Sequence, residues 1–127
     1  MDNKIKSFKD LKAWQEGYNM VLLIYEITRN FPKEELYCLT SQMRRAAISV
    51  TSNIAEGFGR EGIKDKIRFY YLANGSITEL KNQIIIAVGI GYIEKKDLAK
   101  LVKTTNDTHR ILNGLIRSTK KKLTPNS

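Results

Sequence analysis

Catalysis by proton transfer or by a bound metal needs His, Cys or clustered carboxylates at fixed spacing. This chain of 127 residues has one His, His109, and one Cys, Cys38, and neither has a partner nearby in sequence. It contains no Cys-x-x-Cys, His-Glu-x-x-His or P-loop pattern, which argues against a zinc site or an NTPase. A Ser-His-Asp set would have to recruit His109 from a Lys-rich segment, where a partly exposed helix position is the expected role. The Glu-x-x-His pairs that di-metal bundles place on two helices are missing as well. The expectation is therefore no catalytic residue, no metal and no cofactor. A single Cys also excludes an intramolecular disulfide, in keeping with a reducing cytoplasm.

One pattern runs against this expectation. Gly57, Gly59 and Gly62 fit Gly-x-Gly-x-x-Gly, and Glu79 stands near the distance of a ribose-binding acid. Together with the alternation of Ile48, Val50, Ser52 and Ile54, they would make the strand, turn and helix of a dinucleotide site. The competing reading is a helix. Met43, Ala46, Ala47, Val50, Ile54 and Gly57 recur at spacings of three and four. Thr40 or Ser41 could cap its start, and Gly57 and Gly59 could supply a left-handed cap at its end. The helix is preferred, because a buried parallel strand would have to hide Ser49, Thr51 and Asn53, and no other strands offer pairing.

The remaining chemistry is cationic. Twenty-two Lys and Arg against 13 Asp and Glu give a net charge of +9. Such a surface attracts phosphate polyanions, nucleic acid first and anionic lipid far behind; the plain alternative is a soluble basic protein with no such partner. The candidate nucleic-acid contacts are Arg44 and Arg45; Arg60, Lys64, Lys66 and Arg68; and Lys120, Lys121 and Lys122, with Arg117 beside the last group. Lys95, Lys96, Lys100 and Lys103 form a further cluster. The Arg60 to Arg68 group sits at a Gly-rich turn before a helix start, where free amides also hold phosphate. Tyr70 and Tyr71 follow it and could stack on bases.

The elements that must position these residues read as helices. Ser7 with Asp10 resembles a capping box, opening a helix to about residue 30 with an apolar stripe of Leu11, Trp14, Tyr18, Val21, Leu22 and Tyr25. Phe31-Pro32 stops it, and Pro32 with Glu34 and Glu35 suits a short turn that Tyr37, Cys38 and Leu39 pack onto the core. The second helix spans about 40–57. The third spans about 63–89 through Ile63, Ile67, Tyr70, Ile77, Leu80, Ile84 and Val88, and ends at Gly89 and Gly91. Asn74-Gly75 is a strong hairpin signal, but its flanks do not alternate, so Gly75 reads as a close approach of two helices. A fourth helix, about 94–119, lacks a good N-cap. Residues 1–6 read as a frayed, basic start and 120–127 as a loose basic tail. The whole chain is then one all-α domain, an antiparallel up-down four-helix bundle with its core between about 8 and 119. The first residues lack the apolar core of a signal peptide, and the longest apolar run, 84–93, is too short to span a bilayer.

The bundle carries more apolar surface than one monomer can bury. Ile84, Ile85 and Ile86 point three ways around a helix, and Ile48 lies off the Val50 and Ile54 stripe. Self-association through the second and third helices is expected, with Ile85 and Ile86 at the contact. Asn53 and Glu56 sit among apolar neighbours, so at least one is expected to be buried or at a subunit contact. Arg45 could reach Glu56 across a neighbouring helix or subunit; otherwise Glu56 is solvated.

Several blocks also resemble a known family: Phe31-Pro32 with Glu35, Gln42-x-x-Arg45-Ala46-Ala47, Ser49, Asn53-Ile54-Ala55-Glu56-Gly57, and Ala73-x-Gly75-Ser76-x-x-Glu79-Leu80. They are similar to the bacterial four-helix-bundle proteins encoded in intervening sequences of 23S ribosomal RNA genes (the S23 family), and to the accessory variability proteins of diversity-generating retroelements. The resemblance covers about residues 8–119. It implies a ring-like homopentamer with a basic surface for RNA or DNA and, in the retroelement branch, contact with a reverse transcriptase. The leading function is thus a non-enzymatic, oligomeric nucleic-acid-binding protein. The alternatives are a scaffold or accessory protein for a reverse-transcriptase complex and, on the Gly57 pattern alone, a fragment of a dinucleotide-binding enzyme.

Overall fold

The computed structural model describes residues 4–125. Four long helices run through them: α1 (Lys12–Thr28), α2 (Ser41–Gly59), α3 (Ile63–Ile90) and α4 (Lys95–Lys120). No strand occurs among the described residues. Each helix packs on the next, and α4 closes back onto α1. Neighbours are antiparallel. Gly17 meets Thr51 between α1 and α2, and Asn74 bonds to Asn113 between α3 and α4. This is the up-down arrangement that short connections between amphipathic helices favour. No helix among the described residues is long and apolar enough to cross a membrane.

The α2 stripe is the one the sequence indicates: Met43, Ala46, Ala47, Val50, Ile54 and Gly57 are all buried. The α1 stripe is so only in part: Leu11 is buried, and Trp14 and Val21 pack against the core. Ala13, Gly17, Met20, Ile24, Ile27 and Thr28 face the core, whereas Tyr18 and Leu22 are exposed and Trp14, Val21 and Tyr25 are half-buried. The helix is apolar on most of its circumference, and small Gly17 is what lets it close on α2, where a Cβ would lie 3.0 Å from Thr51 Cγ2. On α4, Leu101, Thr105, Leu112 and Ile116 point inward, and Val102 points out. Buried threonines there return their hydroxyls to carbonyls one turn back, as Thr105 does to Leu101 at 2.8 Å.

The helix ends depart from expectation in instructive ways. The capping box is present: Ser7 Oγ accepts from the Lys9 amide, and the Asp10 carboxylate accepts from Lys6 and Ser7. It caps a 3₁₀ turn, Phe8–Asp10, rather than α1 itself. Neither Thr40 nor Ser41 caps α2. The chain enters α2 from a 3₁₀ turn, Lys33–Glu35, and a π turn, Leu36–Thr40, with the Glu35 carboxylate accepting from the Leu39 amide. Tyr37 and Cys38 of that π turn are exposed instead of packed on the core, and only Leu39 is half-buried.

Gly57 and Gly59 do not adopt the left-handed conformation. Among the described residues that role belongs to Gly91 alone, at φ 96°. There the Tyr92 and Gly91 amides close onto Ala87 and Val88 in a Schellman motif. What Gly57 provides is closeness: a Cβ there would sit 2.6 Å from Tyr70 Cε1. Gly75 shows the reverse of its expected role, since nothing lies within 4 Å of a Cβ built on it. Of the expected basic tail, residues 120–125 are described: Lys120 closes α4, and the Lys122 and Leu123 amides turn back onto Thr119 and Lys120; 126–127, like 1–3, lie outside the described residues.

Candidate nucleic-acid interface

An up-down bundle brings the start of α1, the end of α2, the start of α3 and the end of α4 to one end. Segments 4–12, 56–69 and 115–125 meet there, and they hold twelve Lys and Arg against four Asp and Glu. The other described residues hold ten against eight. Two helix N-termini and two C-termini share this end, so their dipoles largely offset one another and the side chains set its sign.

Within this end, two guanidinium groups lie over the Phe69 ring, with Arg60 Cζ 4.6 Å and Arg68 Cζ 4.5 Å from its centroid. Asp65 holds the pair in place. It accepts from Arg68 through Nε at 3.1 Å and Nη2 at 2.9 Å, and it lies 3.7 Å from Arg60 Nε. Arg60 also pairs with Glu56 one turn before it, at 3.2 Å. Nothing in the sequence reading singled out Phe69 or Asp65. The available signal was an aromatic next to Arg68 with an acid three residues earlier on the same helix face.

Lys66 serves the fold. Its Nζ donates to Phe58 O at 2.6 Å and Gly57 O at 3.4 Å, so it satisfies carbonyls at the negative end of α2. Burial, and then the charge of Lys122, hold its pKa below the ordinary lysine value. That repulsion also shows that the end of α4 lies against the start of α3. Lys120 supports the same placement, with its Nζ 5.0 Å from the ring centroid of Tyr71. Lys64, Lys121 and Lys122 are exposed. The two tyrosines separate: Tyr71 is exposed, while Tyr70 is buried against Gly57 and burial raises its pKa.

Arg44 and Arg45 lie at the opposite end of α2, roughly 22 Å from Arg60 at ~1.5 Å per residue. Arg44 is half-buried, donating to Thr28 Oγ1 at 3.0 Å and lying over the Tyr25 ring. Arg45 is exposed beside an open groove lined by Tyr25, Leu36, Tyr37 and Ile48. Lys103 pairs with Asp107 at 2.9 Å, which raises the lysine pKa and lowers that of the carboxyl.

Glu56 is a surface residue of the chain, paired with Arg60 instead of Arg45. Asn53 is half-buried; its amide donates to Ser49 O and Oγ, and Ser49 Oγ meets Ser76 Oγ at 2.9 Å, a polar link between α2 and α3. Ile85 and Ile86 are exposed, Ile85 at 70%, as is Ile48.

The dinucleotide pattern has no strand before it. Gly57 and Gly59 belong to α2, and Glu79 is on the surface of α3. His109 Nδ1 lies 3.0 Å from Lys81 Nζ; the ammonium can only donate, so the imidazole accepts and is neutral. Burial first, and Lys81 second, lower its pKa. No cluster of three or more His, Cys, Asp or Glu able to hold a metal occurs among the described residues.

No curated protein matches the chain. The fold is similar to the crystal structure of a protein of unknown function from the S23 ribosomal protein family of Bacteroides thetaiotaomicron. The TM-score is 0.76 at 15% identity, over 83% of this chain and 95% of that one. The 23S rRNA-intervening sequence protein family model matches residues 9–114, which takes in α1, α2 and α3, most of α4 and the Asn53-Ile54-Ala55-Glu56-Gly57 block. The chain therefore belongs to the family of 23S rRNA-intervening sequence proteins.

Proposed function

We propose that this protein is a non-enzymatic nucleic-acid-binding bundle that works as a homo-oligomer and engages phosphate through its cationic end. One observation carries the reading: three basic segments far apart in sequence meet at one end, twelve cations against four acids. Arg60, Lys64, Arg68, Lys120, Lys121 and Lys122 make the phosphate contacts, and Lys66 holds the end of α2 in place for them. Charge of this kind gives affinity and speed of encounter without sequence preference. Self-association uses the exposed isoleucines of α2 and α3, Ile48, Ile85 and Ile86. The family resemblance makes five the ring size to test.

The test is fluorescence anisotropy of a labelled structured RNA across a salt series. Affinity should fall steeply with salt, with a log–log slope that scales with the phosphates contacted. Replacing Arg60, Lys64, Lys120, Lys121 and Lys122 with Ala should flatten the slope. Replacing Lys95, Lys96, Lys100 and Lys103 at the far end should leave it unchanged. Absence of binding at low salt would refute the reading and turn attention to an acidic protein partner, such as a reverse-transcriptase complex.

A further inference from the structure

The cationic end is not a plain field of charge. Lys64, Arg68, Tyr71 and Gly75 fall at spacings of four, three and four along α3, and all four are exposed. Tyr71 is 46% exposed, with the Lys120 ammonium near its ring. Arg68 lies over Phe69 and is held there by Asp65, with its side chain 59% exposed. One turn beyond Tyr71, Gly75 leaves bare backbone, with open space where a Cβ would stand. Glycine in a helix interior costs stability, and here no packing contact explains it.

We infer that this stripe takes unpaired nucleotides: a base stacks on Tyr71 over the bare backbone at Gly75, while Lys64, Arg68 and Lys120 hold the flanking phosphates. The inference rests on the proposed nucleic-acid function and adds the class of ligand. In a duplex the base faces are already stacked, so an exposed ring offers nothing beyond what charge alone provides. On a single strand each base has a free face, and aromatic platforms among cations use it. Guanidinium planes that are already oriented, as Arg68 is, stack in the same way.

The experiment compares a labelled 12-nucleotide single-stranded RNA with a 12-base-pair RNA duplex at equal salt, using the full chain. The single strand should bind more tightly. Tyr71→Leu should weaken it roughly 5- to 150-fold, the range expected for one stacked base, with duplex binding and the salt slope unchanged. Tyr71→Phe keeps the ring and should bind as the wild type does. Gly75→Ala should weaken single-strand binding while making the fold more stable, a combination that general damage cannot produce. Duplex binding as tight as the single strand, or equal loss on both probes in Tyr71→Leu, would overturn the stacking inference and leave the charge reading standing. Failure of both probes to bind at low salt would overturn both.

Discussion

Two glycines in helix interiors should respond to the same substitution with opposite signs. Alanine is favoured over glycine inside a helix by about 0.5–1 kcal/mol. At Gly75 nothing opposes that gain, because a Cβ meets nothing within 4 Å. At Gly57 the new Cβ would lie 2.6 Å from Tyr70 Cε1, 2.9 Å from Cδ1 and 3.1 Å from Phe69 Cβ. Non-bonded carbons rest at about 3.5–4.0 Å, so the tyrosine ring would have to withdraw by roughly 1 Å. It has little room to do so, since Tyr70 is 2% exposed and packed on its other side. Overpacking of this kind costs about 1–3 kcal/mol, and with a ring and a neighbouring Cβ both in the way the upper part of that range applies. Net of the helix gain, Gly57→Ala should lose about 1–2 kcal/mol, and the two variants should differ by about 2–3 kcal/mol. Urea unfolding followed by circular dichroism at 222 nm reads this directly, at one protomer concentration because association shifts apparent stability. A Gly57→Ala midpoint at or above that of the wild type would refute the close approach of α2 to α3 and the positioning of Lys66 and Arg60 that depends on it.

The remaining predictions address the other polar and apolar features. Lys66→Met keeps the side chain's reach but removes its donor to Phe58 O, and should destabilise the fold by about 1–2 kcal/mol in the same urea assay. For His109, the folded pKa is depressed by burial and by Lys81. The unfolded chain therefore binds the proton more readily, and stability should fall as pH drops below the unfolded value of about 6.5, by no more than ~1.4 kcal/mol per pH unit. His109→Gln should remove that slope from a pH series of unfolding midpoints. Ile85→Glu combined with Ile86→Glu changes two exposed side chains. It should leave helicity intact and reduce the mass in sedimentation velocity to the monomer. An unchanged mass would exclude this face from self-association.

Helix number and approximate bounds were readable because α2, α3 and α4 each carry an apolar repeat of the right period, broken where glycine or Phe31-Pro32 intervenes. The face of α1 was not readable from apolarity alone. Two stripes compete there, one of large residues through Trp14, Tyr18 and Leu22 and one of smaller ones through Ala13, Gly17 and Met20. Hydrophobicity ranks the first higher. Interhelical distance selects the second, because a Cβ on Gly17 would already come within 3.0 Å of Thr51 Cγ2. The same cause misplaced the glycines. In sequence, Gly57 next to Gly59 reads as a chain stop and Gly75 after Asn74 reads as a turn or a tight crossing. Only the packing reveals which glycine has a neighbour in the way.

The site was legible as charge but not as arrangement. Each cluster taken alone reads as an ordinary solvated face; the Gly-rich turn and the tyrosines mark out Arg60 to Arg68, but nothing local tells whether the Arg44 and Arg45 pair joins it. Topology separates them. In an up-down bundle odd helices begin where even helices end, so 4–12, 56–69 and 115–125 must meet while 44–45 and 95–103 go to the far half. That step needs only the order of the helices, so the convergence could have been drawn from sequence once four helices were accepted. Individual roles could not, because they depend on a few tenths of a turn. Lys66 turns inward to the open carbonyls of α2, whereas Lys64 and Arg68, two residues away on either side, are left exposed. Tyr70 goes to the core and Tyr71 to the surface for the same reason. The cationic end is therefore layered, with one lysine binding the helices together and exposed cations around it. Mutating the cluster as a block would merge a folding defect with a binding defect, and single changes at Lys64, Lys66 and Tyr71 keep the two apart.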